Sequence, residues 1–396
     1  MKDQIIYFTA ANGTEVLLWA VGVLGFLFLI QLCYQLFIYN RLATVSKQQV
    51  SAVGESTSLP PLSVIICGEN QLEAIQRNML HILEQRYPLF EVIYVDMAST
   101  DETRSYLESL EEEYDHFYVT YLPDSAKYIS RRKLAQTIGI KASKYDWLVF
   151  TEADCRPSSD KWLFSLAQSM SESTDIVLGY HRTQKISSWF NSFTSYDNLL
   201  LQMRFLGLAL INQPYMGIGR NMAYRKSLFN GIKAYSNQLN LQRGEDEVFI
   251  NQTANSRNTK VALHPESAVE AEPFHFWKSW KYMKGSHLLS MSRFNGIKHY
   301  LMGFETLTRF LFQVLAVLLL VVTLIWGQWV IFILTLILIL LRVLIQWLVV
   351  NRLAKQLGEA RRYGWSLLLL NFYLPIRTWF LKCTLPKNGK GDVFKV

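Results

Sequence analysis

The sequence predicts an α/β domain with a mostly parallel sheet, set between apolar helices, on the strength of three observations. Short apolar runs alternate with helix-spaced segments between Leu62 and Phe150, acidic residues follow the ends of those runs, and long uncharged apolar stretches flank the region. With 396 residues, 50% of them hydrophobic and 14% aromatic, the chain has enough apolar surface for one large domain or two modest ones, which excludes disorder. The formal charge is +8 and the pI near 9.1, but the basic residues flank the apolar runs as in membrane proteins. They form no stripe suited to a nucleic acid polymer. Cys33, Cys67, Cys155 and Cys383 stand far apart without metal-ligand spacing and read as reduced thiols in a cytosolic setting.

Val16 to Tyr39 is uncharged and long enough to cross about 30 Å of hydrocarbon at about 1.5 Å per residue. It has neither the basic n-region nor the cleavage site of a secretory signal, so it reads as an uncleaved transmembrane helix. Lys2, Asp3 and Glu15 precede it, whereas Arg41 and Lys47 follow, which puts the amino end outside and the next segment in the cytosol. Residues 1–45 are thus an anchor. Residues 46–61, with Gly54, Ser56, Ser58, Pro60 and Pro61, read as a linker.

From Leu62 the elements follow one another: strand SVIIC, a helix from Gln71 to Gln85, and strand FEVIYVD. Next comes the turn ASTDET, in which Ser99 or Thr100 caps a helix from Asp101 to Leu110. HFYVTYL is a third strand, Arg131 to Ser143 a helix, and Trp147 to Phe150 a buried strand. The ligand crevice of such a sheet lies beyond the carboxyl ends of the strands, where Asn70, Asp96 and Asp154 fall. Glu152 and Asp154, two apart in YDWLVFTEAD, share one side of an extended chain and suit a divalent cation held against a diphosphate. In GIGRN, Gly217 to Asn221, glycine lets the backbone approach a ligand closely. RGEDEV opens a helix running to Ala254; its acids suit the helix dipole and, together with Glu152 and Asp154, suit proton transfer. Trp189 to Ile211 carries apolar residues at helical spacing and reads as a core helix, the alternative being an interfacial surface that keeps the domain near the bilayer.

SVIICGEN, EVIYVDMASTDET, FTEADCRPS, PYMGIGRNMAYRKSLF and GEDEVFIN, in this order and spacing, resemble the membrane-bound family 2 glycosyltransferases over roughly Leu62 to His287, and the flanking membrane helices fit as well. The resemblance implies a GT-A fold, a Rossmann-like mixed and mostly parallel sheet, over residues 62–300. It implies a nucleotide-diphospho-sugar donor, a UDP-sugar, with a Mg or Mn ion on Asp154 and Glu152 touching ribose or metal. Asn70 and Asp96 would bind the donor, Asp96 at the base. Gly219, Arg220 and Asn221 would floor the sugar pocket. Asp246 would be the general base of an inverting displacement, with Glu245 as a second acid.

The chain departs from the family at three places. Glu152 stands where Asp is more usual, and Met97 where a second acid is. In FHFWKSWKYMKGSHLLSMSRF, Met283, Ser286 and His287 replace the family's QxxRW set, while Lys284 remains as a cation. Lys284 and His287 are expected to line the donor site or an interfacial helix. The altered segment argues against processive synthesis, so the expected acceptor is a membrane lipid or lipid-linked saccharide receiving one sugar. A processive polysaccharide synthase and a non-catalytic nucleotide-sugar-binding member are the alternatives.

Residues 301–396 hold the remaining membrane elements. Phe310 to Trp326 and Val330 to Val350, divided by Gly327 and Gln328, predict a transmembrane hairpin with a tryptophan belt. Arg352, Lys355, Arg361 and Arg362 put the next loop in the cytosol. Arg342, inside a span, would either grip a lipid phosphate or, at less cost, snorkel to the cytosolic face. Trp365 to Leu374, followed by Pro375 and Arg377, reads as re-entrant or interfacial, and the basic tail from Lys382 to Lys395 would lie on anionic lipid. The whole reads as an integral protein of the cell (inner) membrane with a cytosolic domain.

Overall fold

A computed structural model describes residues 2–51, 59–122, 130–231, 244–364 and 366–385, with side chains from Gly13 onward. One helical rod opens the chain: α1 (Lys2–Cys33), a π-helical turn (Tyr34–Tyr39) and α2 (Asn40–Ser51). The sheet region follows with β1 (Leu62–Gly68), α3 (Leu72–Leu83), β2 (Phe90–Asp96), α4 (Thr103–Glu113), β3 (Phe117–Tyr121), α5 (Arg131–Ala142) and β4 (Trp147–Phe150). β1 and β4 are buried at every position and β2 at all but its first, as expected where helices cover both faces. The four strands run parallel in the order β3-β2-β1-β4, with Leu62 opposite both Phe90 and Trp147 and Gly68 opposite Asp96. That register brings the carboxyl ends of the strands, and the residues after them, to one edge.

The chain continues through β5 (Cys155–Pro157), α6 (Trp162–Ala167), β6 (Ile176–Gly179), β7 (His181–Thr183), α7 (Trp189–Leu210), β8 (Met222–Arg225), α8 (Lys226–Gly231), α9 (Glu245–Thr253), β9 (Thr259–Ala262) and β10 (Val269–Ala271). β8 inserts antiparallel between β4 and β6, and β9 closes the far edge, giving seven strands in the order β3-β2-β1-β4-β8-β6-β9. A second sheet, β5-β10-β7, stands beside Asp154. The helix α7 is core, as its spacing predicts: Phe193, Tyr196, Leu199, Met203 and Leu206 are all buried. Gly207 lets it approach the π-helical turn, since a Cβ there would meet the Ile38 methyl at 2.7 Å.

Four helices complete the chain: α10 (Trp277–Met291), α11 (Lys298–Ile325), α12 (Trp329–Gln356) and α13 (Ser366–Thr384). Three helical segments are long and apolar enough to cross a membrane, Gly13–Ser51, Lys298–Ile325 and Trp329–Gln356. They pack through Leu17, Leu24, Leu27, Phe312, Leu319 and Ile331, and turn Trp19, Phe26, Leu318, Val330 and Leu340 outward. Outward apolar side chains on a bundle of this kind are what hydrocarbon would solvate. One end of the bundle meets the sheet region: Lys298 Nζ donates to the Pro214 carbonyl at 3.1 Å and Arg182 Nη1 to the Gly358 carbonyl at 3.0 Å. At the other end Gly13 lies against Trp326.

Three local expectations are corrected. The segment 46–61 does not begin as a linker, because α2 carries the helix on to Ser51; Ser46 Oγ donates to the Leu263 carbonyl at 2.7 Å, and Gln49 bonds Val261 and Leu263 of the β9 edge. Neither Ser99 nor Thr100 caps α4; Asp101 takes the Thr103 N–H at 3.1 Å, and Ser99 turns back to Asp96. Arg342 is not at a polar surface but buried among helices, its guanidinium 5.0 Å from the Phe312 ring centroid. Residues 52–58 of the expected linker, Trp365 and the tail beyond Leu385 lie outside the described residues.

Candidate active site

Two arginines hold the acids after β4, and one of them ties that loop to the first turn of α9. Arg132, on the first turn of α5, bridges the two acidic groups, pairing with Glu152 and, at 2.8 Å, with Glu245. Arg220, from the loop before β8, reaches Glu152 at 3.0 Å and Asp154 at 2.8 Å. The result is a connected chain, Asp154–Arg220–Glu152–Arg132–Glu245, assembled from segments far apart in sequence. Breaking any buried member leaves an uncompensated charge. Burial lowers the affinity of Arg132 for its proton, but Glu152, Glu245 and Asp246 outweigh that and hold it charged. The net direction for Asp154 is upward, from burial first, against the lowering effect of Arg220.

Asp246 sits beside this chain, buried at the start of α9. Its Oδ1 accepts from Gln136 Nε2 at 3.0 Å, and its Oδ2 lies against Gly219. Burial, then the neighbouring Glu245 charge, push its carboxyl up to about 7, while Arg132 and Gln136 pull the other way. A carboxylate with that proton affinity is poised to accept a proton near neutral pH. Gly219 is required by space, because a Cβ there would overlap the Asp246 carboxylate. We therefore expect Gly219→Ala to displace Asp246 and lower turnover by about 10²-fold with little change in thermal midpoint, measured by steady-state kinetics and thermal shift.

The remaining residues singled out from sequence divide. Asn221 is structural, donating to the carbonyls of Tyr180 and Ser267 at 2.7 and 2.8 Å and accepting from Trp162 at 3.2 Å. Asn70 and Asp96 lie after the strand ends and are linked through Ser99, whose hydroxyl takes the Asn70 N–H at 2.9 Å and donates to Asp96: Asn70, with φ of 52°, takes the Thr100 N–H at 2.8 Å, and Asp96 holds the Ser99 N–H at 3.1 Å. Lys284 and His287 line one open cleft with Arg220 and His181. Lys284, however, is committed to Asp197, which also takes the Trp280 indole N–H at 2.9 Å, and His287 pairs with Glu247. His181 is buried, and that burial, with Arg220 nearby, lowers its pKa to about 3, so it is neutral. Arg132, Gln136, Glu247, His181 and Asp197 were not singled out as site residues from sequence; only the i, i+4 spacing of Arg132 and Gln136 on α5 signalled a shared face.

Among the described residues no three His, Cys, Asp or Glu side chains gather as a metal cage. Both Glu152 oxygens are taken by guanidinium groups, which makes it a poor ligand. Asp154 gives one oxygen to Arg220, and among the described residues its Oδ1 has only the Cys155 thiol at 3.4 Å. One carboxylate oxygen with substrate phosphates and water is enough for a hard divalent ion, so the donor set fits on Asp154 alone.

Residues 63–232 match the family described as Glycosyl transferase family 2. The chain carries a family 2 glycosyl transferase domain. The glycosyl transferase domain includes the Asp154–Arg220–Glu152–Arg132 chain, with Glu245 and Asp246 beyond the matched span. TuaG of Bacillus subtilis (strain 168), assigned to teichuronic acid biosynthesis as a glycosyltransferase, is 29% identical over 103 residues, 26% of this chain and 37% of that protein. The chain thus spans little more than a third of that relative's length. The mannosyltransferase PcManGT from Pyrobaculum calidifontis, solved in complex with GDP-Man and Mn2+, superposes with a TM-score of 0.52 and 16% identity over 91% of this chain and 94% of its own. That likeness extends beyond residues 63–232 and shows a common GT-A-like fold; in this chain one apolar helix precedes the domain and two follow it.

Proposed function

We propose that the chain is an inverting glycosyltransferase that moves a sugar from a nucleotide-diphospho-sugar to a membrane lipid or lipid-linked saccharide. The observation that carries this reading is a buried Asp246 with a proton affinity near neutrality, beside an arginine-linked set of acids at the ends of the strands. Asp246 takes the proton of the acceptor hydroxyl as that oxygen bonds the anomeric carbon. The bond from that carbon to the diphosphate breaks on the opposite face, and its electron pair leaves with the diphosphate oxygen. Asp154 would hold a Mg or Mn ion, which when bound neutralises the leaving diphosphate. Arg220, beside Asp154, adds a second positive charge at that end, while Glu152 orients both arginines. Asn70 and Asp96 shape the strand-end turn against which the nucleotide would lie.

The acceptor belongs to the bilayer in this reading because the domain joins three apolar helices at one end of their bundle. The lysine and arginine residues at that same end favour the cytosolic face. A direct test uses the full chain in lipid nanodiscs with labelled UDP- and GDP-sugars, membrane lipid extract and Mn2+ or Mg2+. We expect addition of one sugar to a lipid, at least tenfold slower after chelation with EDTA. A ladder of products would replace single transfer with polymerisation, and no transfer or donor hydrolysis with any donor would overturn the proposal.

A further inference from the structure

Where the bundle meets the domain, a layer of polar side chains lies among apolar helices. Glu305 on α11 is buried and pairs with Arg204 of α7 at 2.5 Å and Arg309 at 3.4 Å. Arg342 of α12 stands nearby, only 8% exposed. Glu305 is the single acid on α11, α12 and α13, and it is already shared by two guanidinium groups. Arg342 has no hydrogen bond or ion pair among the described residues; its Nε is buried without a partner, and its guanidinium stands over the Phe312 ring. A guanidinium in a membrane span costs about 2.5 to 3.5 kcal/mol even on the mildest scale. Three guanidinium groups, Arg309 and Arg342 in the spans and Arg204 on α7, against one carboxylate leave the layer short of negative charge.

Arg342 lines a shallow open groove between α11, α12 and α13. Gln313 and Asn371 supply polar atoms beside it, and Val317, Ile339, Leu368 and Phe372 make the rest apolar. Val317 and Phe372 are exposed, so the groove opens sideways on the face turned to hydrocarbon. A charged inner end and an apolar side-opening wall match the two ends of a lipid, and the planar fork of arginine matches phosphate oxygens. We propose that this groove binds one phosphate-bearing membrane lipid, its phosphate on Arg342 and its chain along α11 and α13. The proposal rests on these helices lying in a bilayer and is independent of the sugar-transfer reading.

The test is native mass spectrometry of the full chain, delipidated in uncharged detergent and titrated with phosphatidylglycerol or with diacylglycerol of the same acyl chains. We expect one saturable phosphatidylglycerol adduct per chain, no saturable diacylglycerol adduct, and at least tenfold weaker binding by Arg342→Met. Val343→Trp, which keeps the guanidinium but fills the groove, should abolish the adduct and answers the question if Arg342→Met fails to fold. Equal binding by wild type and both variants, or equal binding of diacylglycerol, overturns the proposal. Displacement of the lipid by millimolar inorganic phosphate also overturns it, in favour of a site for a free anion. Because the readout is lipid binding, an inactive protein that still binds would count against the sugar-transfer reading alone.

Discussion

Asp246→Asn is expected to lower sugar transfer by about 10² to 10⁴-fold while leaving donor binding within a few fold, as loss of a general base does. The exchange is nearly isosteric, and the Asn oxygen still accepts from Gln136, so the fold has no reason to fail. In wild type the rate should rise about tenfold per pH unit below about 7 and level off above it, because only the ionised carboxylate accepts a proton. The variant should lose that limb of the profile. The stability consequence has a definite sign. Burial and Glu245 raise the folded-state affinity from 3.8 to about 7, so the unfolded chain gives up this proton first. The folded state binds more protons across that window, and the contribution of Asp246 to stability falls as pH rises through it. Asp246→Asn should therefore gain thermal midpoint relative to wild type at pH 8 more than at pH 5. Unchanged transfer by this variant would defeat the assignment of the base.

The second large effect is expected from Arg132→Met, which keeps the stem and removes the charge. Glu152 retains Arg220, but Glu245 loses its one ion pair among the described residues while buried. Removing one partner of a buried pair costs about 3 to 5 kcal/mol. The same change takes away a charge that holds the Asp246 carboxyl down, so the pH–rate midpoint should move above 7 in whatever protein remains folded. Pairing the change with Glu245→Gln separates the two consequences: the double variant should recover much of the thermal midpoint, since the stranded charge is gone, without recovering activity. A purely structural role would leave the pH midpoint where it was.

The parallel half of the sheet was legible because β1, β2 and β4 are apolar runs bounded by turn residues, and their acids follow at once. The antiparallel insertion of β8 was not, since MAYR has neither length nor alternation to mark it, and its place is set by pairing with β4 and β6. Glu152 and Asp154 stand out as acids directly after a strand, whereas Asp246 is marked among the helix-start acids only by the family resemblance. The arginines between them could not be picked out, because SRRKLAQ reads as an ordinary solvated helix start until Glu152 and Glu245 arrive from elsewhere. Lys284 was anticipated near phosphate on charge alone, and Asp197, 87 positions earlier, claims it. The segment SKQQVS was read as a linker from its polarity; the pattern hid that Ser46 and Gln49 face the sheet.

Gln49 has a wider meaning. The outer rim of β9 would otherwise offer an open backbone edge of the kind that recruits foreign strands. The side-chain amide of Gln49 mimics a neighbouring peptide there, donating to Val261 and accepting from Leu263. The amino-terminal rod is thus a stopper as well as an anchor, and a soluble fragment cut loose from it would carry a sticky rim even if every other part were correctly folded.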